Sequence, residues 1–578
     1  MKRKTFLAAF GAVAATVLLA GGLTFERPGV APSSAADVVR PEFESCTSIL
    51  VGKNASTDGS VMTTHTADCG FCDWTWRHVP AKDHKPGAKR KIYHIDQYMT
   101  WPPSEGLKWD LYVKGDTGLE IPELPHTFAF NHGMFGYMND QQVAIGESSI
   151  GCQRKMRNPT PTPKFDISML TLIAMERAKT AREAIQIMGA LAGQYGYGGW
   201  PNEDGEMLAV ADPNEVWMFE IMPVGPLWTP ASGKPGAVWC AQRVPDDHVS
   251  VCPNESRIGE IDLANKDFFM ASSNAVSLAV EMGFYDPKSG QPFNWKRAYS
   301  PQEGSAASTN GRIQRMWRFY DLAAPSKKFS PETPNIDFPF SVKPDRKLSL
   351  QDVMAMTRDR SYGTPFDPVK GIRGGPFRNP NIYRQTRLID DGRAEYTTVT
   401  QSRPSLPNPI GGLTWISFGS QDTACYMPFY AGATELPKSF AVGDHFVFSR
   451  DSARWASDYV DFHTQVCYSE AIQDVQAALA KYETEVINRI PEIDRDALER
   501  YKKKPAEAAK FLTGFCLNNA KTVLDAWWKL GDDLLVKYNR LYIYDTQKRR
   551  YERRQPVRPE WWNKATRAFD ILMEPEKK

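Results

Sequence analysis

"CTSILVGKNASTDGSVMTTHTAD" occupies residues 46–68. Its first part, "CTSILVG", is rich in β-forming residues and alternates loosely, the signature of a strand. "STDGS" carries Asp58-Gly59, a dipeptide type favoured in hairpin turns. "VMTTHTAD" then reads as a returning strand. The stretch thus predicts an opening hairpin with Cys46 at the start of its first strand. His65 and Asp68, at the far end of the partner strand, come back toward Cys46.

Nothing upstream of this hairpin reads as folded protein. Lys2, Arg3 and Lys4 precede an apolar run, "FLAAFGAVAATVLLAGGL", and then a stretch rich in Pro, Ser and Ala. A basic start, an apolar segment and small residues near Ala35 and Ala36 match an export signal. The run is also long enough to serve as an uncleaved membrane anchor. Residues 1–36 are therefore expected to be a signal peptide or anchor, and residues 37–45 a short leader. The product is expected to be periplasmic or extracellular, touching membrane only through its N-terminal segment.

The remainder has an ordinary globular composition: 42% hydrophobic, 24% charged and 12% aromatic over 578 residues. A formal net charge of +2 gives no basic field for nucleic acid, so a small substrate is the expected partner. Nine cysteines agree with export, and an odd count leaves at least one unpaired. Cys46 is the expected free one. Cys69 and Cys72 form a C-x-x-C with no second pair or neighbouring histidines to complete a zinc site, so a local disulfide or packed thiols are expected, and no metal or other cofactor.

Along the chain, "DISMLTLIAMERAKTAREAIQIMGALAGQYG" predicts two helices, the second capped by Thr180 with Glu183 three residues on. "GEMLAVADPNEVWMFEIM" predicts two strands joined by a tight turn, and "AVWCAQRVP", "HVSVCPNESRIG", "GGLTWISFG" and "ACYMPFYAG" predict further strands. From about Ser452 the pattern becomes helical. Blocks of strands and helices point to an α+β fold: a catalytic domain over 46–450 and a helical region over 451–578 packed on it.

The commoner catalytic motifs are missing. There is no G-x-S-x-G, H-E-x-x-H, Walker loop or G-x-G-x-x-G in the sequence. "GESSIG" has the wrong spacing for a nucleophile elbow, and Glu147 and Ser148 read as strand-end residues rather than catalysts. Cys46 offers another route. If the chain is cut after Ser45, the cysteine carries a free α-amine beside its thiol. Such an amine titrates near pH 8, about 7.7–8.0, and can act as general base at neutral pH. One residue then supplies both nucleophile and base.

"CTSILVGKNASTDGS" resembles the start of the dipeptidase family of N-terminal-nucleophile cysteine hydrolases, relatives of secernins and, more distantly, of penicillin V acylases and bile salt hydrolases. Further blocks follow in order: "MNDQQVAIGESSIG", "PNESRIGEIDL", "GRIQRMWRFYDLAAPS", "SYGTPFD", "TQSRPSLPNPIGGLTWISFGSQDTACYMPFYAG" and "DSARWASDYVDF". The resemblance implies a four-layer αββα sandwich, with a C-terminal helical extension here. It implies Cys46 as nucleophile, Asp68 as the acid orienting its α-amine, and Asn254 as an oxyanion partner. It places Arg312 beside the thiol and Asn139 in a binding-site turn. One position departs: the acylase relatives carry arginine three residues before the aspartate, where this chain has His65. A neutral imidazole lacks the permanent charge of a guanidinium.

The sequence thus predicts an exported cysteine dipeptidase acting on short peptides through a thioester, without cofactor. An N-acyl amide hydrolase of the same fold and a catalytically inactive binding protein stand as alternatives. Oligomeric state is open at this level, a homo-oligomer included.

Overall fold

The computed structural model describes residues 45–70, 72–95, 113–198, 205–300, 304–308, 311–371, 373–382 and 387–554, with a few positions between 560 and 567. The expected signal segment (1–36) and all of the leader but Ser45 lie outside the described residues.

Fourteen strands form two antiparallel sheets. In chain order these are β1 (Ser45–Val51), β2 (Val61–Asp68), β3 (Arg77–Val79), β4 (Phe130–His132), β5 (Gly136–Asn139), β6 (Ala144–Ile150), β7 (Gly205–Ala211), β8 (Val216–Met222), β9 (Val238–Val244), β10 (Val249–Cys252), β11 (Phe269–Ala271), β12 (Tyr396–Ser402), β13 (Gly412–Phe418) and β14 (Met427–Tyr430). One sheet has the order β10-β1-β2-β12-β13-β14, the other β11-β9-β8-β7-β6-β5-β4-β3. Three short two-stranded ribbons complete the described strands.

The hairpin predicted from the opening stretch is present. β2 spans "VMTTHTAD", and Cys46 pairs with Ala67 across an antiparallel register. The connection is longer than a two-residue turn and runs over residues 52–60. Its first part is held elsewhere: Gly52 and Asn54 donate their backbone N–H groups to His248 and Asp246 carbonyls at 3.0 and 2.8 Å. Gly59 still supplies a left-handed residue (φ 78°), and Asp58 Oδ1 accepts from the Ser60 N–H at 3.0 Å.

Every residue of β2 is buried, as expected of a strand covered on both faces. The two sheets face each other where β1 and β2 meet β6, β7 and β8. Ser48 Oγ donates to the Glu147 carbonyl at 2.6 Å across this junction. Gly146 permits the approach: a Cβ there would stand 2.4 Å from the Thr64 carbonyl oxygen. A larger residue would force the sheets apart where the site is built.

Helices lie against both sheets. α1 (Ile167–Arg177) and α2 (Ala181–Tyr195) contact the eight-stranded sheet. α2 begins as predicted, with Thr180 Oγ1 accepting from the Glu183 N–H at 3.2 Å. α3 (Gly311–Ala323) contacts β10. α4 (Leu350–Thr357) opens with a reciprocal capping box between Ser349 and Asp352. The C-terminal region forms α5 (Ala453–Val466), α6 (Tyr468–Lys503) and α7 (Pro505–Lys537), with α5 on β13 and α7 on β14. The described residues form one compact unit, these helices included. Among the described residues no helix is long and apolar enough to cross a membrane.

Cys69 and Cys72 are joined as a disulfide. The other seven cysteines, Cys46 among them, are in no disulfide.

Candidate active site

Cys46 stands near the start of β1, a strand flanked by β2 and β10, on the face turned toward β6. Its side chain is buried. The Cys46 N–H donates to Asn254 Oδ1 at 3.2 Å. Its carbonyl accepts from Ser148 Oγ at 3.2 Å and from Arg315 Nη1 at 2.9 Å. The peptide units on both sides of this cysteine are thus held by side chains from three other elements.

Asn254 follows β10 in a left-handed conformation, φ 65°, which asparagine tolerates better than most residues. Its orientation is fixed on every side. Oδ1 accepts from Cys46 N–H and from Arg315 Nη2 (2.8 Å), Nδ2 donates to the Ser149 carbonyl (2.7 Å), and its own N–H donates to Ser148 Oγ (3.1 Å). Both neighbours of Oδ1 are donors, so Nδ2 must face away from them, toward β6.

Arg315 is the arginine of this site. Beyond Cys46 and Asn254 it donates to Thr47 Oγ1 at 2.7 Å, the Pro253 carbonyl at 3.0 Å and the Gly311 carbonyl at 3.2 Å. Burial lowers its pKa to about 9, helped by Arg387 and opposed by Asp68 and Asp391. The sequence reading placed Arg312 beside the thiol. Arg312 lies one helical turn earlier on α3, less buried, and acts through charge on Glu255 and Arg315. Arg315, on the buried face of the helix, is the arginine whose hydrogen bond reaches the Cys46 carbonyl.

Asp68 ends β2 opposite Ser45 and is fully buried. Its Oδ2 accepts from Thr66 Oγ1 at 3.1 Å, whereas Oδ1 has no hydrogen-bond partner. Burial raises its pKa to about 7; Asp391 adds to the rise, and Arg387, Arg315 and Arg393 oppose it.

His65 and Glu147 complete the surroundings of the thiol. His65 Nε2 stands 3.2 Å from Glu147 Oε2, both side chains being buried. The Tyr396 hydroxyl lies 3.3 Å from His65 Nδ1, and the rings of Phe135 and Tyr396 pack against the imidazole at 5.4 and 5.3 Å. Cys46 Sγ, a His65 nitrogen and a Glu147 oxygen all lie within 4.8 Å of one another. Burial pushes the Cys46 thiol well above its ordinary pKa, and the charges of Glu147 and Asp68 push the same way. Burial also works against the Glu147 carboxylate, but polar contacts from His65 and Glu206 outweigh it and hold Glu147 below its ordinary value. In the intact chain the proton therefore stays on sulfur and the negative charge on Glu147.

The structure brings Cys46, His65, Asp68 and Asn254 together, as the sequence led one to expect. Asn139 is not part of this cluster. It is buried on β5, where Nδ2 donates to the Met175 and Ala178 carbonyls (3.1 and 2.8 Å) and Oδ1 accepts from the Gln141 and Val143 N–H groups (3.0 and 2.9 Å). Its polar groups are spent on tying a turn to the end of α1, which leaves none to hold a substrate. Glu147 and Ser148, read from the sequence as strand-end residues rather than catalysts, lie inside β6, and Arg315 was not singled out. The only signal for the first two was their place in "GESSIG", whose strand faces β1.

Comparison with known proteins places the chain in a family. The model of Peptidase family C69 matches residues 45–481. A probable dipeptidase of Latilactobacillus sakei is 26% identical over 409 residues, covering 69% of this chain and 77% of its own length. A probable dipeptidase of Salmonella dublin is 25% identical, covering 67% and 81%. A dipeptidase of Bifidobacterium longum is 25% identical, covering 68% and 72%. A solved structure, that of penicillin V acylase from Agrobacterium tumefaciens, aligns with 67% of this chain and 86% of its own at 13% identity and a TM-score of 0.29, too loose a match to carry an argument. The matched family begins at Ser45, beside the buried thiol, and extends into α6: the chain belongs to Peptidase family C69 and is a peptide-bond hydrolase.

Proposed function

We propose that this protein is an exported cysteine dipeptidase of four-layer αββα, N-terminal-nucleophile architecture, matured by cleavage between Ser45 and Cys46. The observation that carries the reading is the setting of that bond. It opens an interior strand at the junction of two sheets, with Asn254 on its N–H, Arg315 on the carbonyl of the next peptide and the unpartnered Asp68 Oδ1 across the register from Ser45. Cleavage converts the Cys46 amide nitrogen into an amine. Asp68 Oδ1 is the acceptor at hand to orient it.

In the mature chain the thiol proton passes to this amine as sulfur attacks the substrate carbonyl. Asn254 Nδ2, which has a second hydrogen beyond the one given to Ser149, and a backbone N–H face the developing oxyanion. The amine then protonates the departing amino group, leaving a thioester on Cys46. Water adds to the thioester, the acid product leaves, and the thiol is restored. In the leader-bearing chain, where the Cys46 nitrogen is still an amide, sulfur attacks the Ser45 carbonyl, the thiol proton goes to that nitrogen as its bond to Ser45 breaks, and water hydrolyses the thioester so formed to release the leader. The dipeptidase names of the relatives, and the segment before Cys46, support the substrate class and export respectively.

The test is the intact mass of the purified protein together with its turnover of a dipeptide panel and of N-acyl amino acids. The expected result is a chain beginning at Cys46 that cleaves dipeptides, and a Cys46→Ala chain that keeps its leader and has no activity. An active preparation with the Ser45–Cys46 bond intact overturns the mechanism. Turnover confined to N-acyl amino acids overturns the substrate class.

A further inference from the structure

We propose that Cys46, His65 and Glu147 form a binding site for a divalent transition-metal cation of the zinc class, and that the bound cation holds the thiol inactive. The inhibitory consequence rests on Cys46 being the nucleophile; the binding itself does not.

The donor set is the first argument. A thiolate, an imidazole nitrogen and a carboxylate oxygen are the ligand types zinc takes, and three protein ligands leave a fourth position open. A hard cation such as magnesium or calcium prefers an all-oxygen set, so the sulfur and nitrogen donors select against it.

The geometry is the second. The three donor atoms lie within 4.8 Å of one another. Zinc bonds of about 2.0–2.3 Å place ligands about 3.5 Å apart, so modest side-chain rotations close the set. His65 Nε2 and Glu147 Oε2 are buried, stand 3.2 Å apart and make no hydrogen bond of normal geometry, and the side chains of Cys46 and Glu206 also face Glu147. A cation between them and the sulfur would satisfy both.

The third argument is the scaffold and its charge. The donors come from β1 and β2 of one sheet and from β6 of the other, so rigid strands carry all three. Asp68 and Glu206 act on the same thiol through charge and add to the negative field that a cation would neutralise. Ser149 Oγ, 3.0 Å from Glu147 Oε1, holds the carboxylate from behind, as supporting groups do at metal sites. When the metal binds, the sulfur gives up its proton to solvent and its lone pair to the metal, so it can no longer attack a carbonyl.

Cobalt(II) reads the site directly, because a thiolate bound to it gives a near-ultraviolet charge-transfer band. The full chain, titrated with Co²⁺, is expected to bind one equivalent with that band, and Zn²⁺ to displace it. Cys46→Ser is expected to abolish the band. His65→Gln and Glu147→Gln, both close in shape to the originals, are each expected to weaken binding by more than about 100-fold, beyond what loss of a supporting group costs. Circular dichroism confirms that each variant is folded. Dipeptide hydrolysis is expected to stop with one equivalent of Zn²⁺ and return with chelator. No band, a band that survives in Cys46→Ser, or binding unchanged in both glutamine variants overturns the site. Failure of the metal-free chain to hydrolyse any dipeptide instead overturns the function proposed above and leaves the cobalt result standing.

Discussion

Asp68 keeps a fully buried carboxyl with one oxygen unpartnered, and its proton affinity follows. Its pKa in the folded chain is about 7, against about 3.9 for an exposed aspartate. A carboxyl raised in this way favours the folded state while protonated, so its contribution is full at acid pH and is lost as pH rises toward and through about 7. Asp68→Asn is therefore expected to match the intact parent chain in stability near pH 4 and to exceed it above pH 7, by on the order of a few kcal/mol. Denaturant unfolding of leader-bearing chains across that range checks the sign. Arg315 gives a second expectation. Lysine cannot reproduce a fork that meets two backbone carbonyls of the site and two side-chain oxygens. Arg315→Lys is expected to slow leader removal and dipeptide turnover by about 100-fold or more, the equivalent of two charge-assisted hydrogen bonds. Arg312→Lys should stay within about threefold, as a less buried charge does. At this scale Cys46, His65 and Asp68 were legible because they lie on one hairpin. Arg315 was not: Arg312 and Arg315 stand one turn apart in "GRIQR", and only the packing of α3 decides which one is turned inward.

Elements were legible wherever periodicity is clean. β2, the α1–α2 pair with its Thr180 cap, and the β7–β8 hairpin fall where the pattern puts them. The turn signal between β1 and β2 was legible, but not what holds the first residues of the link, because that partner comes from the β9–β10 connection, far along the chain. The C-terminal helices, read as an addition packed on the catalytic domain, meet the loops and helix end that flank its sheet through polar contacts. Arg403 pairs with Asp494, Arg358 with Glu483, and Trp527 Nε1 donates to the Thr423 carbonyl at 3.0 Å. Trp527 is buried, so Trp527→Ala is expected to cost about 3–5 kcal/mol in denaturant unfolding. A loss below about 1 kcal/mol would show that α7 is only loosely docked.

Across the whole molecule, strand composition announced an α+β class but not the order of strands. The site joins residues 46, 65 and 68 to 147, 254 and 315, and its hydrogen bonds span separations of up to 269 residues. No local pattern encodes such a meeting. The in-order blocks of the family resemblance pointed to it, and the stacking of the two sheets accounts for it. The same stacking explains why Glu147 looked inert in the sequence: alternation assigns a side chain to a face, not to the thiol that the facing sheet presents. It also explains how three metal-type donors escaped a search for short motifs, since none lies within a short spacing of the next.

Ser45 and Cys46 share β1, and the groups around them belong to the same chain. The bond proposed for cleavage is therefore held beside its own nucleophile, on one strand of one chain. The proposed leader removal is then expected to be a first-order event: its half-time should not change when the protein is diluted, and an added mature enzyme should not hasten it.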